Sequence, residues 1–401
     1  MSTPPAETWS ATPIIDWLLH RGRQLHDPEK LLNELCSRVV RAGMPLNRVR
    51  VFIYTLHPQY FGFVLSWEDG ETGIHHGEHH MLQSDTFKLS PMARIQQGER
   101  VIRRRLSQPD CRLDYPVLVD LKEEGFSDYI MVEMTFSNGT RNGVSLMSKA
   151  PGGFSDHDMA EVERLLQLFA LIMENHANQG IASNLLDTYL GTISGARVLD
   201  GKIKRGDGDE IDAVIWFSDL RDSTPLAESL GSRRFLELLN DYFEATAGAV
   251  LAGGGEVLRF IGDASLAVFP VSHGAEDAVQ SVCRAAVQAA RNAAKRVTEV
   301  NAKRMEQALP AFNYGIGLHL GQVLYGNIGT PDRLEFSVIG AAANETARIE
   351  ALSKLTGERV VVSETVTRQL QPDAGNPWRS LGRHALRGVG HEIEVFGLPE
   401  Q

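Results

Sequence analysis

Two aspartates, an asparagine and an arginine carry the chemistry this sequence can be read for. Asp219 ends a continuous apolar run, Ala213-Val214-Ile215-Trp216-Phe217, of the kind found in a buried central strand. A helix signal follows at once, Asp222-Ser223-Thr224-Pro225 and then Leu226, Leu230, Phe235, Leu238, Leu239, Tyr242 and Phe243. A carboxylate at a strand end, beside a helix N-terminus, suits phosphate oxygens and a hard cation together. Alone, an aspartate after a strand is usually a helix cap.

Asp263 lies in the turn of a predicted tight hairpin, Gly254 to Phe269, between two strand-like runs. If that hairpin pairs beside the Val214–Phe217 strand, Asp263 comes next to Asp219. Two carboxylates bridging two divalent ions give the geometry for in-line phosphoryl displacement. Further on, Phe336-Ser337-Val338-Ile339 breaks at Gly340 into a helix that carries Asn344 and Arg348 at i,i+4, hence on one face. Arg348 is a fixed fork for phosphate oxygens, and Asn344 can orient a ribose oxygen. Either residue on any surface helix would look the same.

Taken together these stretches resemble the catalytic domain of class III nucleotidyl (adenylyl/guanylyl) cyclases. The resemblance rests on Phe217-Ser218-Asp219-Leu220-Arg221-Asp222-Ser223-Thr224, Arg259-Phe260-Ile261-Gly262-Asp263, Gly315-Ile316-Gly317-Leu318-His319-Leu320-Gly321, Tyr325-Gly326-Asn327-Ile328-Gly329 and Asn344-Glu345-Thr346-Ala347-Arg348. It covers a little under half of the chain.

The resemblance implies an α+β fold with a ferredoxin-like βαββαβ core and extra hairpins, active as a head-to-tail homodimer. It implies that Asp219 and Asp263 hold two divalent cations (Mg²⁺ or Mn²⁺). Asn344 would orient the ribose, and Arg348 would stabilise the transition state from the partner protomer. The main chain at Leu220, Arg221, Asp222, Ser223 and Thr224 would cradle a triphosphate. The implied reaction is attack of the ribose 3′-hydroxyl on the α-phosphorus, with loss of pyrophosphate.

Three departures from the family pattern bear on specificity. Arg259 stands where adenylyl cyclases resemble one another in having lysine, and Ser337 where they have aspartate or threonine. Arg259 can only donate and Ser337 can do either, so the residue chemistry leaves the base open. Guanylyl cyclases resemble each other in placing a glutamate at the Arg259 position, so arginine there favours ATP. Gly340-Ala341-Ala342-Ala343-Asn344 replaces the common Gly-Asp-x-Val-Asn. Leu386-Arg387-Gly388 replaces Leu-Lys-Gly, so Arg387 would meet the terminal phosphates with a different geometry. The alternatives are a catalytically silent nucleotide-sensing or scaffold module, or a guanylate cyclase. The hairpin lacks the Gly-Gly-Asp/Glu-Glu-Phe signature of diguanylate cyclases.

The elements that must position these residues occupy 211–401. Ahead of them, residues 1–27 read as an arm and helix. Residues 28–155 read as a mixed α/β domain: a helix from Pro28 capped by Asp27, then strands near 48–54, 60–67, 128–134 and 143–148. That order resembles a GAF-type sensor module and implies an unidentified small ligand or signal there. Residues 156–210 read as a helical connector. Its seam, Met159, Val162, Leu166, Phe169, Met173 and His176, has a/d spacing that fits either a dimerising coiled coil or a helix packed on its own domain. The Val198–Gly206 segment is similar to the transducer segments of multidomain cyclases.

Composition sets the outer bounds. A chain of 401 residues with 43% apolar content supports about two domains. A net charge of −11 argues against general nucleic-acid binding, which needs a basic face. Cys36, Cys111 and Cys283 are widely spaced, which fits a reducing compartment and no disulfide framework. Neither a signal peptide nor a membrane span is expected, so the expectation is a soluble, cytoplasmic protein without a membrane partner. His75-His76-Gly77-Glu78-His79-His80 contains metal-ligand types. Adjacent histidines on a strand point to opposite faces, however, so a polar hairpin is the expected reading.

Overall fold

The computed structural model describes residues 9–271, 277–370 and 378–398. The chain divides into two compact units, 1–185 and 186–401.

The first unit contains α1 (Thr12–His20), α2 (Pro28–Ala42), β1 (Arg48–Tyr54), β2 (Tyr60–Glu68), β3 (Glu71–Glu78), α3 (Asp85–Lys88), α4 (Pro91–Gln96), β4 (Val101–Arg104), α5 (Pro116–Glu123), β5 (Asp128–Thr135), β6 (Arg141–Ser148) and α6 (Asp156–Leu190). The strands form an antiparallel sheet in the order β3-β2-β1-β6-β5-β4. Helix α2 begins as its sequence dictates. The Asp27 side chain accepts from the Glu29 and Lys30 N–H groups, Pro28 takes the first position, and Gly43 closes the end with φ +111°.

Both faces of this sheet are covered. Val49, Val51 and Ile53 of β1 enter a core with Leu18, Leu31 and Leu32 of the first two helices. The other face packs Tyr129, Met131 and Met147 against Ile95 and Leu118. Residues near the start of the chain share the first core, since the Trp9 indole donates to Asp158 at 2.6 Å and the Ala11 N–H to Glu161 at 2.6 Å. The same core absorbs the α6 seam. Val162, Leu165, Phe169, Ile172, Met173 and Ala177 are buried in it, a stripe wider than a two-position coiled-coil seam. Of the two readings the spacing allowed, this is the helix packed on its own domain, although Leu171 on the same helix stays exposed.

The second unit contains α7 (Thr192–Leu199), β7 (Gly208–Leu220), α8 (Ser223–Leu230), α9 (Ser232–Ala252), β8 (Glu256–Ile261), β9 (Ala264–Pro270), α10 (Ala278–Glu306), β10 (Tyr314–Thr330), β11 (Arg333–Ile339), α11 (Ala341–Thr356), β12 (Val360–Ser363), α12 (Glu364–Thr367), β13 (Arg379–Ala385) and β14 (Glu392–Gly397). Its sheet runs β13-β14-β12-β10-β7-β9-β8, with β11 folded back on β10. Within it, β7, β8, β9 and β10 with their intervening helices form the βαββαβ arrangement the resemblance implied. The single helical run expected after Asp222 is broken in two at Gly231, where φ is +73°.

One face of β7, with Val214 and Trp216, packs under α9 and α10 through Leu238, Tyr242, Ala249 and Ala290. Helix α11 lies against β10 and β7. That approach needs glycine on β10: a Cβ on Gly317 would stand 2.6 Å from the Glu350 N and 2.8 Å from the Thr346 O. Among the described residues, no helix is long and apolar enough to cross a membrane.

The contact between backbone and backbone at Gly317 leaves no side chain to move aside. Gly317→Ala should destabilise the second unit by about 1–3 kcal/mol through overpacking. Chemical denaturation measures this, and a variant as stable as the parent would show that α11 is not held this closely.

Candidate active site

The pairing of β7 with β9 places the first cluster. Asp219 is the register partner of Ala264, and the Leu220 N–H donates to the Asp263 carbonyl at 3.3 Å. The two aspartates, 44 positions apart in sequence, therefore lie at one end of neighbouring strands. Gly262, with φ +64°, makes the turn that presents Asp263. Burial raises the Asp219 carboxyl above the ordinary carboxylate range, and the negative charge of Asp263 raises it further. The Lys354 Nζ, 3.9 Å from the Asp219 Oδ2, opposes both. Two partly buried carboxylates with one exposed lysine between them and neutrality form a donor set suited to hard divalent cations.

Beyond Asp219 the chain turns sharply. Asp222 adopts a left-handed conformation (φ +54°) and α8 starts at Ser223. The phosphate cradle expected over Leu220–Thr224 is narrower than the sequence suggested. The Leu220 side chain is buried and its N–H is committed to Asp263, while the Arg221 N–H donates to the Asn313 carbonyl at 2.9 Å. The Arg221 guanidinium turns inward as well, pairing with Glu350 at 3.2 Å and with the Ser353 hydroxyl. Strand pairing and a buried ion pair thus remove Leu220 and Arg221 from the cradle. Asp222, Ser223 and Thr224 remain, with the unsatisfied N–H groups that begin any helix.

A second cluster gathers around a cavity of about 610 Å³ lined by Arg259, Glu335, Ser337, Asn344, Ala347 and Phe217, among others. The Arg259 Nη1 meets both carboxylate oxygens of Glu335, at 3.0 and 3.1 Å. The Arg259 Nε and the Ser337 Oγ are buried without a hydrogen-bond partner among the described residues. Buried polar atoms of that kind are uncommon and call for an explanation. Here one donor and one hydroxyl line a single cavity.

The cavity brings together Arg259, Ser337 and Asn344 of the expected residues. Asp219 and Asp263 do not line it. Arg348 is exposed on α11 one turn beyond Asn344, and Arg387 is exposed in the connection between β13 and β14. The chain thus presents two incomplete clusters. Ile261, Ile328 and Ile339 line the cavity, and these three large apolar side chains are left open to solvent.

Four residues of these clusters escaped the sequence reading. Glu335 lies two positions before Ser337 on one strand, hence on its face, and alternation could have found it. Glu350, Ser353 and Lys354 continue α11 beyond Arg348, and helical periodicity alone does not say which of them turns to Arg221 or Asp219. The histidine run belongs to the first unit, with His80 against Glu78 at 3.1 Å and the His79 ring 3.0 Å from the His57 carbonyl.

Residues 209–399 match the family model described as adenylate and guanylate cyclase catalytic domain. The chain is 33% identical over 192 residues to an adenylate cyclase of Anabaena cylindrica, covering 47% of this chain and 35% of that one. It is 30% identical over 191 residues to adenylate cyclase 2 of Rhizobium meliloti, covering 46% and 49%. It thus spans half or less of the length of these relatives. Among solved structures it is similar to the adenylyl cyclase CyaB from P. aeruginosa (22% identity, TM-score 0.44, 48% of this chain and 96% of that one). It is also similar to the guanylyl cyclase Cya2 (28% identity, TM-score 0.40, 48% and 95%).

The buried Arg221–Glu350 pair ties the end of β7 to α11. Glu350→Ala, which strands the Arg221 guanidinium, should cost about 3–5 kcal/mol of stability. Glu350→Gln, which keeps an acceptor, should cost less. Equal losses on denaturation would mean that Glu350 acts by packing alone.

Proposed function

We propose, from the premise that residues 209–399 form an adenylate and guanylate cyclase catalytic domain, that this chain converts ATP to 3′,5′-cyclic AMP and pyrophosphate as a homodimer. The observation that carries the reading is the pair Asp219 and Asp263, held side by side at the strand ends with too little positive charge around them.

The two carboxylates would hold two divalent cations, Mg²⁺ or Mn²⁺. Bound there, the cations lower the pKa of the ribose 3′-hydroxyl and neutralise phosphate charge. The N–H groups of Asp222, Ser223 and Thr224 receive phosphate oxygens at the start of α8. The 3′-hydroxyl releases its proton to solvent as the O3′–Pα bond forms and the bond from Pα to the bridging oxygen breaks, and the pyrophosphate leaves with that oxygen. Asn344 orients the ribose, Arg348 meets the charge developing on the α-phosphoryl group, and Arg387 meets the terminal phosphates.

The base cavity supports adenine. The Arg259 Nε donates to a ring acceptor, and the Ser337 hydroxyl accepts from the exocyclic amine. The cavity also contains a carboxylate, Glu335, that Arg259 engages through both oxygens, which leaves it fewer sites for guanine N–H groups. The division of the residues into two clusters supports the dimer, since a second copy can supply what each cluster lacks. The N-terminal unit is proposed as the sensor that sets the activity.

Purified chain incubated with ATP or GTP and Mg²⁺ or Mn²⁺ should yield cyclic AMP on chromatography, with Asp219→Ala at least about 100-fold slower. Cyclic GMP would overturn the reading of Arg259 and Ser337, and no product from either nucleotide would favour a silent nucleotide-sensing module.

Asp219→Ala and Arg348→Ala should each be inactive alone. Mixed in equal amounts, they should recover up to about a quarter of wild-type activity, because half the dimers then hold one intact site of two. A mixture as inactive as its components would place all four residues in one chain's site.

A further inference from the structure

The N-terminal unit encloses a cavity of about 690 Å³ that the chemistry above does not use. Its floor is one face of the sheet. Alternation along β1 sends Val49, Val51 and Ile53 into the helical core and turns Arg50, Phe52 and Tyr54 to the cavity. The register extends that floor sideways. Gly143 of β6 stands opposite Phe52, Ser145 opposite Arg50, and Met131 of β5 opposite Ser145. Phe87 of α3 and Met92 of α4 close over it. At Gly143 a Cβ would stand 2.9 Å from the Met92 Sδ, so glycine and two flexible thioethers keep the space adaptable.

Two of the polar residues in this lining bear on a ligand. The Tyr54 hydroxyl is buried without a hydrogen-bond partner among the described residues. Burial pushes its pKa up to about 12, so it keeps its proton and can donate. Arg50 stands on the floor between Ser66 and Ser145 and makes no ion pair within 4 Å among the described residues, while its charge adds to the pull that Arg48 exerts on the Glu68 carboxyl. Its neighbour Arg48 is neutralised by Glu68 at 2.7 Å and Glu124 at 2.6 Å. The other acids at the cavity, Asp85 and Asp120, belong to α3 and α5 and not to the floor.

We infer that this cavity is a binding site for a planar aromatic monoanion of two or three rings. The rings lie among Phe52, Phe87, Met92 and Met131, the anionic group meets Arg50 and Ser145, and Tyr54 hydrogen-bonds a further polar atom. The volume falls in the range of small-molecule sites, which are mostly apolar with few polar groups that fix orientation. Aromatic and thioether side chains favour a flat π-system, and a charge-assisted bond to arginine sets the sign of the ligand. The inference stands independently of what the second unit catalyses.

The test uses the full chain and two fluorescent probes with similar rings: the anion 1-anilinonaphthalene-8-sulfonate and the neutral N-phenyl-1-naphthylamine. The anion should bind saturably at one equivalent per chain, about tenfold or more tighter than the neutral probe. Arg50→Gln, at an exposed position, should erase that preference while leaving the neutral probe bound. Met131→Trp should weaken both, with circular dichroism and a thermal melt confirming its fold. Equal affinity of the two probes for the parent, several equivalents bound, no binding at all, or an anion preference that survives Arg50→Gln would each overturn the inference.

Discussion

The second unit depends on the register of β7. This strand is paired on both sides, with β9 and with β10, and its side chains are needed on both faces. In the observed register Val214 and Trp216 enter the α9/α10 core while Asp219 emerges beside Asp263. A slip by one residue would turn Trp216 away from its core and carry Asp219 past its partner, because side chains alternate with a period of two. Trp216 is fully buried, so the core that stabilises the unit also fixes the position of the carboxylate. Folding energy and site geometry are here the same constraint.

Charge is arranged to leave that site in deficit. Burial already opposes ionisation of Asp219, and Asp263 opposes it further. Arg221 relieves the pair only in part, because its guanidinium is tied to Glu350 and Ser353. Burial raises the Glu350 carboxyl above its ordinary range, Arg221 pulls it back, and Asp219 adds to the rise. The cation that could neutralise the aspartates is thus used to lock the strand end onto α11. What remains, Lys354, is exposed and held at 3.9 Å. A preorganised negative site of this kind is costly to the apo protein, and a divalent cation relieves that cost.

The sequence showed what lies on periodic elements and missed what depends on pairing between them. The apolar run Ala213–Phe217 announced a doubly covered strand, and the Gly262-Asp263 turn announced the hairpin, so the adjacency of Asp219 and Asp263 could be anticipated. Asn344 could be placed because it sits on a helix begun by a glycine. Arg221 could not, since its place in an ordered motif said nothing of Asn313 or Glu350, both distant in sequence. Spacing left two readings open at α6, where the stripe read from six positions is wider in the structure, since the core also takes in Leu165, Ile172 and Ala177. A heptad seam and an ordinary amphipathic face differ only in width, and width is a tertiary property.

Helix α11 gives the two clusters a mechanical relation. Near its start, Asn344 and Ala347 line the base cavity, while near its end Glu350, Ser353 and Lys354 hold Arg221 and approach Asp219. The glycines of β10 let this helix press its backbone against the sheet, so it moves with the sheet or not at all. In the head-to-tail dimer proposed above, the cavity cluster of one chain would complete the aspartate cluster of the other, so each α11 would serve both sites, one with each end. A displacement that tightened Asn344 on a ribose in one site would pull at Lys354 and Arg221 in the other. Coupling between the two sites of that dimer would then need no separate relay, because a single rigid element would belong to both.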